Sequence, residues 1–229
     1  MKTKKQSQPL DLTKVPPAQH RAILAAYRRG DVFALVDSLP TAGQLRFVRR
    51  NVSALKRRRI YEAALIRAYT LGCYDESGSQ LRNLFRQADR NVLLALGRPL
   101  PEGETITLYR GVSNARFGNW GVSWADTLGH ACVYTYSRLV DGGEDQWFSP
   151  SPDYAIHRAA VPRSRILWCG FFGGCPDVRE YVALPETFET LAIQDAEVRE
   201  NAQATCRAYY EHVLRARAER MRQLREAKR

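Results

Sequence analysis

No two of the five cysteines in this 229-residue chain stand at the CxxC spacing of a zinc or redox motif, and their number is odd. Cys73, Cys132, Cys169, Cys175 and Cys206 are scattered, which argues against a disulfide framework and for reduced thiols in a cytoplasmic protein. The four histidines, His20, His130, His157 and His212, share no metal-ligand spacing, so no metal is expected. Neither a phosphate-binding P-loop nor a GxGxxG turn is present. No apolar run approaches the roughly 20 residues that span a bilayer, so no membrane partner is expected. The start, Met1-Lys2-Thr3-Lys4-Lys5, is basic but leads into no apolar stretch, unlike a secretory signal.

What the chain does have is cationic charge, unevenly placed. The formal net charge is +11. Residues 1–100 hold 19 Lys/Arg against 7 Asp/Glu, residues 101–190 hold 7 against 11, and residues 191–229 hold 9 against 6. An acidic central block thus lies between basic flanks. The flanks point to nucleic acid or another anionic partner, with a solvated helical surface as the plainer alternative. Lys56-Arg57-Arg58-Arg59 is the densest cationic run, a candidate nucleic-acid contact that is more often a solvated helix face.

Period and punctuation divide the chain. Residues 1–17 are polar and end in Pro16-Pro17, reading as a flexible basic arm. From Ala18 to Gly97 the period is helical, giving an all-α basic domain of four or five helices. Leu45, Val48, Val52 and Leu55 mark one helix. Leu81, Leu84, Phe85, Val92, Leu93 and Leu96 mark another long one, starting near Ser77 or Ser79. After the Gly97–Gly103 connection, Thr105-Ile106-Thr107-Leu108-Tyr109 alternates as a strand does. Asp126 to Ser137 reads as a helix with Asp126 as its N-cap. Three strands follow, at Tyr154–Val161, Arg165–Cys169 and Glu180–Leu184. The tail from Asp195 to Arg229 reads as one exposed Arg-rich helix. The fold class is therefore α+β: an all-α unit, then a mixed, mainly antiparallel sheet domain over residues 104–190, then a C-terminal helix.

Three short segments in the acidic block carry chemistry. Tyr109-Arg110-Gly111 sets a fixed cation at a strand end. Gly121-Val122-Ser123-Trp124 sets a small hydroxyl on the next extended segment. Glu180-Tyr181-Val182 opens an apolar run with a carboxylate. Together with Asp126, Ala131 and Tyr134, this order resembles the ADP-ribosyltransferase fold of the arginine–serine–glutamate class, known from bacterial toxins and phage effectors. The resemblance covers roughly residues 104–186. It implies NAD as substrate, no metal, and a macromolecular acceptor, protein or nucleic acid.

The resemblance also implies roles. Arg110 would grip the NAD pyrophosphate with its planar guanidinium. Gly111, lacking a side chain, would let the backbone reach the nicotinamide amide. Ser123 would contact the ribose or orient the glutamate. Tyr134 would line the nicotinamide pocket or pack against the sheet. Glu180 would stabilise the positive charge that builds on the ribose as the nicotinamide leaves. The segment before it would read the target, through Phe171, Phe172 and Val178. Two departures stand out. Trp124-Ala125 follows Ser123 where further small hydroxyls are usual, and Trp124 reads as core. Val178 stands where enzymes that modify arginine carry Glu or Gln, which puts arginine modification in doubt. A NAD glycohydrolase is the first alternative. A non-enzymatic nucleic-acid or partner-binding protein on a degenerate transferase fold is the second.

Overall fold

A computed structural model of the chain describes residues 10–71, 78–114, 121–135, 153–171 and 179–226. It is α+β, and the chain divides into two compact units, Met1–Gly97 and Arg98–Arg229.

The first unit is entirely helical among the described residues: α1 (Pro17–Arg29), α2 (Val32–Asp37), α3 (Gln44–Arg50), α4 (Val52–Arg57), α5 (Tyr61–Thr70), α6 (Gly78–Gln87) and α7 (Arg90–Ala95). Seven helices replace the four or five that periodicity predicts, because local caps cut the long ones. Pro17 opens α1 where its missing N–H costs nothing, and Gly30 closes it in a left-handed conformation at φ +73°. The Asp31 carboxylate then accepts from Ala34 N–H and starts α2.

The expected helix through Leu45 and Leu55 breaks at Asn51. This buried amide donates to Phe47 O at 2.9 Å and Asp11 O at 3.2 Å, and accepts from Asp11 N–H at 2.6 Å. The expected helix from Leu81 to Leu96 breaks at Asp89, whose carboxylate caps α7 through Asn91 and Val92 N–H. Of its second apolar trio only Leu93 is buried; Val92 and Leu96 are exposed. The arm also needs correcting, since Leu10 and Val15 are buried and Asp11 pairs with Arg50 at 2.8 Å. Only residues 1–9 of it lie outside the described residues.

The second unit is built on a six-stranded antiparallel sheet in the order β4-β5-β2-β1-β3-β6. Its strands are β1 (Thr105–Val112), β2 (Ser123–Ala125), β3 (Ala155–Pro162), β4 (Ile166–Phe171), β5 (Arg179–Ala183) and β6 (Glu189–Thr190). The first five follow the sequence expectation closely; β6 is too short to leave a pattern. Ile106, Leu108, Trp124, Ala159, Val161, Cys169 and Tyr181 bury one side of the sheet in a single apolar cluster.

On the other side lie α8 (Leu128–Val133) and α9 (Asp195–Glu226). The N-cap of α8 is Thr127, whose hydroxyl accepts from His130 N–H, and not Asp126. Helix α9, about 48 Å long at 1.5 Å per residue, is not exposed throughout. Val198 and Ala202 are buried with Ala131, Cys132 and Ile156. Gly129 permits this: a Cβ there would stand 2.2 Å from Thr205 Oγ1. Among the described residues no helix is long and apolar enough to cross a membrane.

Candidate functional site

Neighbouring strands bring the three chemical segments together. Tyr109 of β1 pairs with Ala125 of β2, and Ala125 pairs with Glu180 of β5. Ser123, two residues before Ala125, leaves the sheet on the same face as Glu180. Its hydroxyl donates to Glu180 Oε1 at 2.6 Å. Glu180 is only 6% exposed, so this carboxylate is no solvent-facing strand residue. Arg110 Nη1 donates to the Ser123 carbonyl at 2.7 Å, tying the two strands at their shared end. Gly121 leaves room for that guanidinium, since a Cβ there would lie 1.8 Å from Arg110 Nη2. Arg110, Ser123 and Glu180 thus form one continuous contact chain.

The glycine after Arg110 has a structural task of its own. A Cβ on Gly111 would meet the Ala131 carbonyl at 1.7 Å, so its bareness lets α8 lie directly on β1. This close approach brings Tyr134, the residue ending α8, to the site. A small cleft is lined by Trp124, Ala125, His130, Val133, Tyr134, Arg179 and Glu180. Its carboxylate stands among ring and aliphatic carbon. The expected core role of Trp124 agrees with its 3% exposure.

Three residues of this neighbourhood went unnoticed in the sequence. His130 lines the cleft, with Nδ1 2.5 Å from Thr127 Oγ1, and burial lowers its pKa, favouring neutral imidazole. A single histidine in a short helix gives no periodic signal. Trp168 lies across Gly170, where a Cβ would stand 1.9 Å from its ring, and Gly170 pairs with Glu180. The indole therefore walls the side of Glu180 toward the sheet edge. The Trp-x-Gly spacing at period two was the available signal. His157 is the Cα partner of Arg110, buried at 3% exposure and bound through Nδ1 to Thr190 Oγ1 at 3.0 Å. Burial first, and the Arg110 charge second, lower its pKa.

The candidate target-reading residues divide. Phe171 ends β4, opposite Arg179. Phe172 and Val178 lie outside the described residues. The cysteines near the sheet are not poised nucleophiles: burial pushes the Cys132 thiol up to about 12 and raises that of Cys169. Among the described residues no cluster of His, Cys, Asp and Glu could hold a metal ion.

In the first unit, two cations of the 56–59 run serve the fold. Arg58 donates to the Arg28 carbonyl in the last turn of α1 and lies over the Tyr27 ring at 5.6 Å. Lys56 donates to the Gln87 carbonyl at the end of α6 and lies over the Tyr61 ring at 5.2 Å. Both place positive charge on a helix C-terminus, where the dipole favours it. Arg57 and Arg59 are exposed, Arg59 with φ +58°. Comparison with protein-family models, with curated proteins and with solved structures finds no match.

Proposed function

We propose that the second unit is an ADP-ribosyltransferase-like domain that transfers ADP-ribose from NAD to a macromolecular acceptor, releasing nicotinamide. The observation that carries this reading is the Ser123–Glu180 hydrogen bond at 2.6 Å, joined through the Ser123 carbonyl to Arg110. The order arginine, serine, glutamate along the chain is also their order across β1, β2 and β5.

The chemistry follows from that arrangement. When the bond between ribose C1′ and nicotinamide breaks, its electron pair leaves with the ring nitrogen and positive charge builds on the ribose. A buried carboxylate held by one hydroxyl faces that charge with little reorganisation, stabilising the transition state more than the ground state. The carbon-lined cleft beside Glu180 accepts the nicotinamide ring, with Tyr134 and His130 on its α8 wall. An acceptor oxygen or nitrogen then bonds to C1′ and gives up its proton. This route asks for no metal ion.

Hydrolysis of NAD is the second reading. Val178 favours it, because an aliphatic side chain orients no guanidinium acceptor. Arg57 and Arg59 are the exposed cations proposed to attract an anionic partner to the first unit. The deciding experiment follows label from NAD in the presence and absence of protein and nucleic-acid acceptors. Label retained on a macromolecule supports transfer, and nicotinamide release without retention supports hydrolysis. An absence of NAD turnover under all conditions, with Glu180→Gln indistinguishable from wild type, would sink both.

A further inference from the structure

We infer that Arg98, Phe171 and Arg179 form a docking surface for single-stranded nucleic acid at the Glu180 end of the sheet, making nucleic acid the acceptor class. The transfer step rests on the transferase reading; the docking does not.

The surface is assembled from three directions. Arg98, the first residue of the second unit, fixes its backbone by donating N–H to Cys169 O of β4 at 2.7 Å. Its guanidinium lies 4.2 Å from the centroid of the Phe171 ring. Phe171 is the cross-strand partner of Arg179, and Gly170 beside it is the partner of Glu180. The cluster therefore stands one residue along the strands from the proposed catalytic carboxylate and, by strand alternation, on the other face of the sheet. Arg179 also lines the Glu180 cleft, and its guanidinium interacts favourably with the Tyr181 phenol. Tyr181 in turn donates to Asp126 Oδ2 at 3.3 Å.

Charge and shape select the occupant. Arg98 is exposed and donates no side-chain hydrogen bond among the described residues, so its N–H groups face solvent while its plane rests on an aromatic ring. A stacked guanidinium grips phosphate with its edge and a base with its free face. An acidic peptide would satisfy the two cations and leave the stacked plane unused. Nucleic acid uses both, and its bases and sugars carry nucleophiles of their own. In the balanced step the bond from C1′ to nicotinamide breaks with its pair on the ring nitrogen. A base or sugar lone pair then bonds to C1′, and its proton passes to solvent.

The test uses the full chain with Arg57→Glu and Arg59→Glu already in place, removing two exposed cations of the first unit. The probe is a fluorescent oligothymidylate of about 12 nucleotides, within single-strand site sizes. Arg98→Glu weakens its binding about 10-fold or more and shallows the salt dependence by about one charge. Arg98→Gln gives a smaller loss. Phe171→Leu weakens it about 5- to 100-fold by removing the stacking platform. With labelled NAD, label reaches the oligonucleotide in the parent and falls in step with binding in these variants. Unaltered binding in both Arg98→Glu and Phe171→Leu overturns the inference. So does label that goes to an acidic protein and never to the oligonucleotide. If the parent releases no nicotinamide yet Arg98→Glu still weakens binding, the docking surface stands and the transferase reading falls.

Discussion

The Ser123 hydroxyl and the Glu180 carboxylate meet at 2.6 Å although 57 residues separate them in the chain. Their strands pair so that Ala125 faces Glu180, which leaves Ser123 one diagonal step away on the same side of the sheet. The hydroxyl fixes one oxygen of the carboxylate. Glu180 sits at 6% exposure, so loss of that hydroxyl also leaves a buried oxygen short of a donor.

Ser123→Ala should therefore lower the turnover of NAD about 10- to 100-fold through misplacement of the carboxylate, with a smaller change in KM. Glu180→Gln keeps the shape and removes the charge, and should cost on the order of 1,000-fold in kcat. Nicotinamide release at saturating NAD measures both. Equal activity of Ser123→Ala and wild type would show that the hydrogen bond has no part in the chemistry.

The strands were legible because they rest on signals short enough to read in one pass. Thr105 to Tyr109 alternates, and the apolar runs at 154–161, 165–169 and 180–184 fall within a residue or two of β3, β4 and β5. The helical unit was less legible because its breaks come from tertiary hydrogen bonds. Asn51 ends α3 by binding Asp11, 40 residues away, and no periodicity reports that. The run Lys56 to Arg59 resembles a uniform basic patch until the partners of Lys56 and Arg58 are known. Trp168 and His130 escaped notice for a different reason: each matters only through its neighbour in space.

Division of labour within that basic run yields a second expectation. Arg58→Ala removes a charged donor from the C-terminal carbonyls of α1 and its contact with Tyr27. For such an exposed helix-end contact a loss of about 0.3–1 kcal/mol is expected, seen as a lowered urea midpoint at low salt. Arg59→Glu should leave the midpoint nearly unchanged while weakening nucleic-acid binding and its salt dependence. The opposite assignment of effects would refute the division.

Acid should destabilise the second unit through two of its histidines, His130 and His157. Burial lowers the folded pKa of both His130 and His157; Arg110 reinforces the shift at His157, and Asp126 opposes it at His130. A folded value below the unfolded value near 6.5 means that the unfolded chain binds more protons in that interval. The stabilisation is complete above about pH 6.5 and is lost as pH falls from there toward the lowered folded values. Urea midpoints between neutral and mildly acid pH should drop in wild type and drop less in a His130→Gln, His157→Gln double variant. Parallel curves for the two proteins would exclude these histidines as the cause.

Two glycines of the site offer a contrast in which space alone differs. At Gly111 an added methyl group would stand 1.7 Å from the Ala131 carbonyl, a backbone atom that moves only with α8. Gly111→Ala should force the helix off β1 at a cost of about 1–3 kcal/mol, lowering the melting temperature and activity together. At Gly121 the added methyl group would meet the end of the Arg110 side chain at 1.8 Å, and a guanidinium can swing aside. Gly121→Ala should leave the melting temperature almost unchanged while breaking the Arg110 bond to Ser123 O, so that NAD turnover falls by 10-fold or more. Thermal unfolding and nicotinamide release on the same two samples separate the cases. If Gly121→Ala keeps full turnover, Arg110 does not need its hold on Ser123, and its role reduces to electrostatics alone.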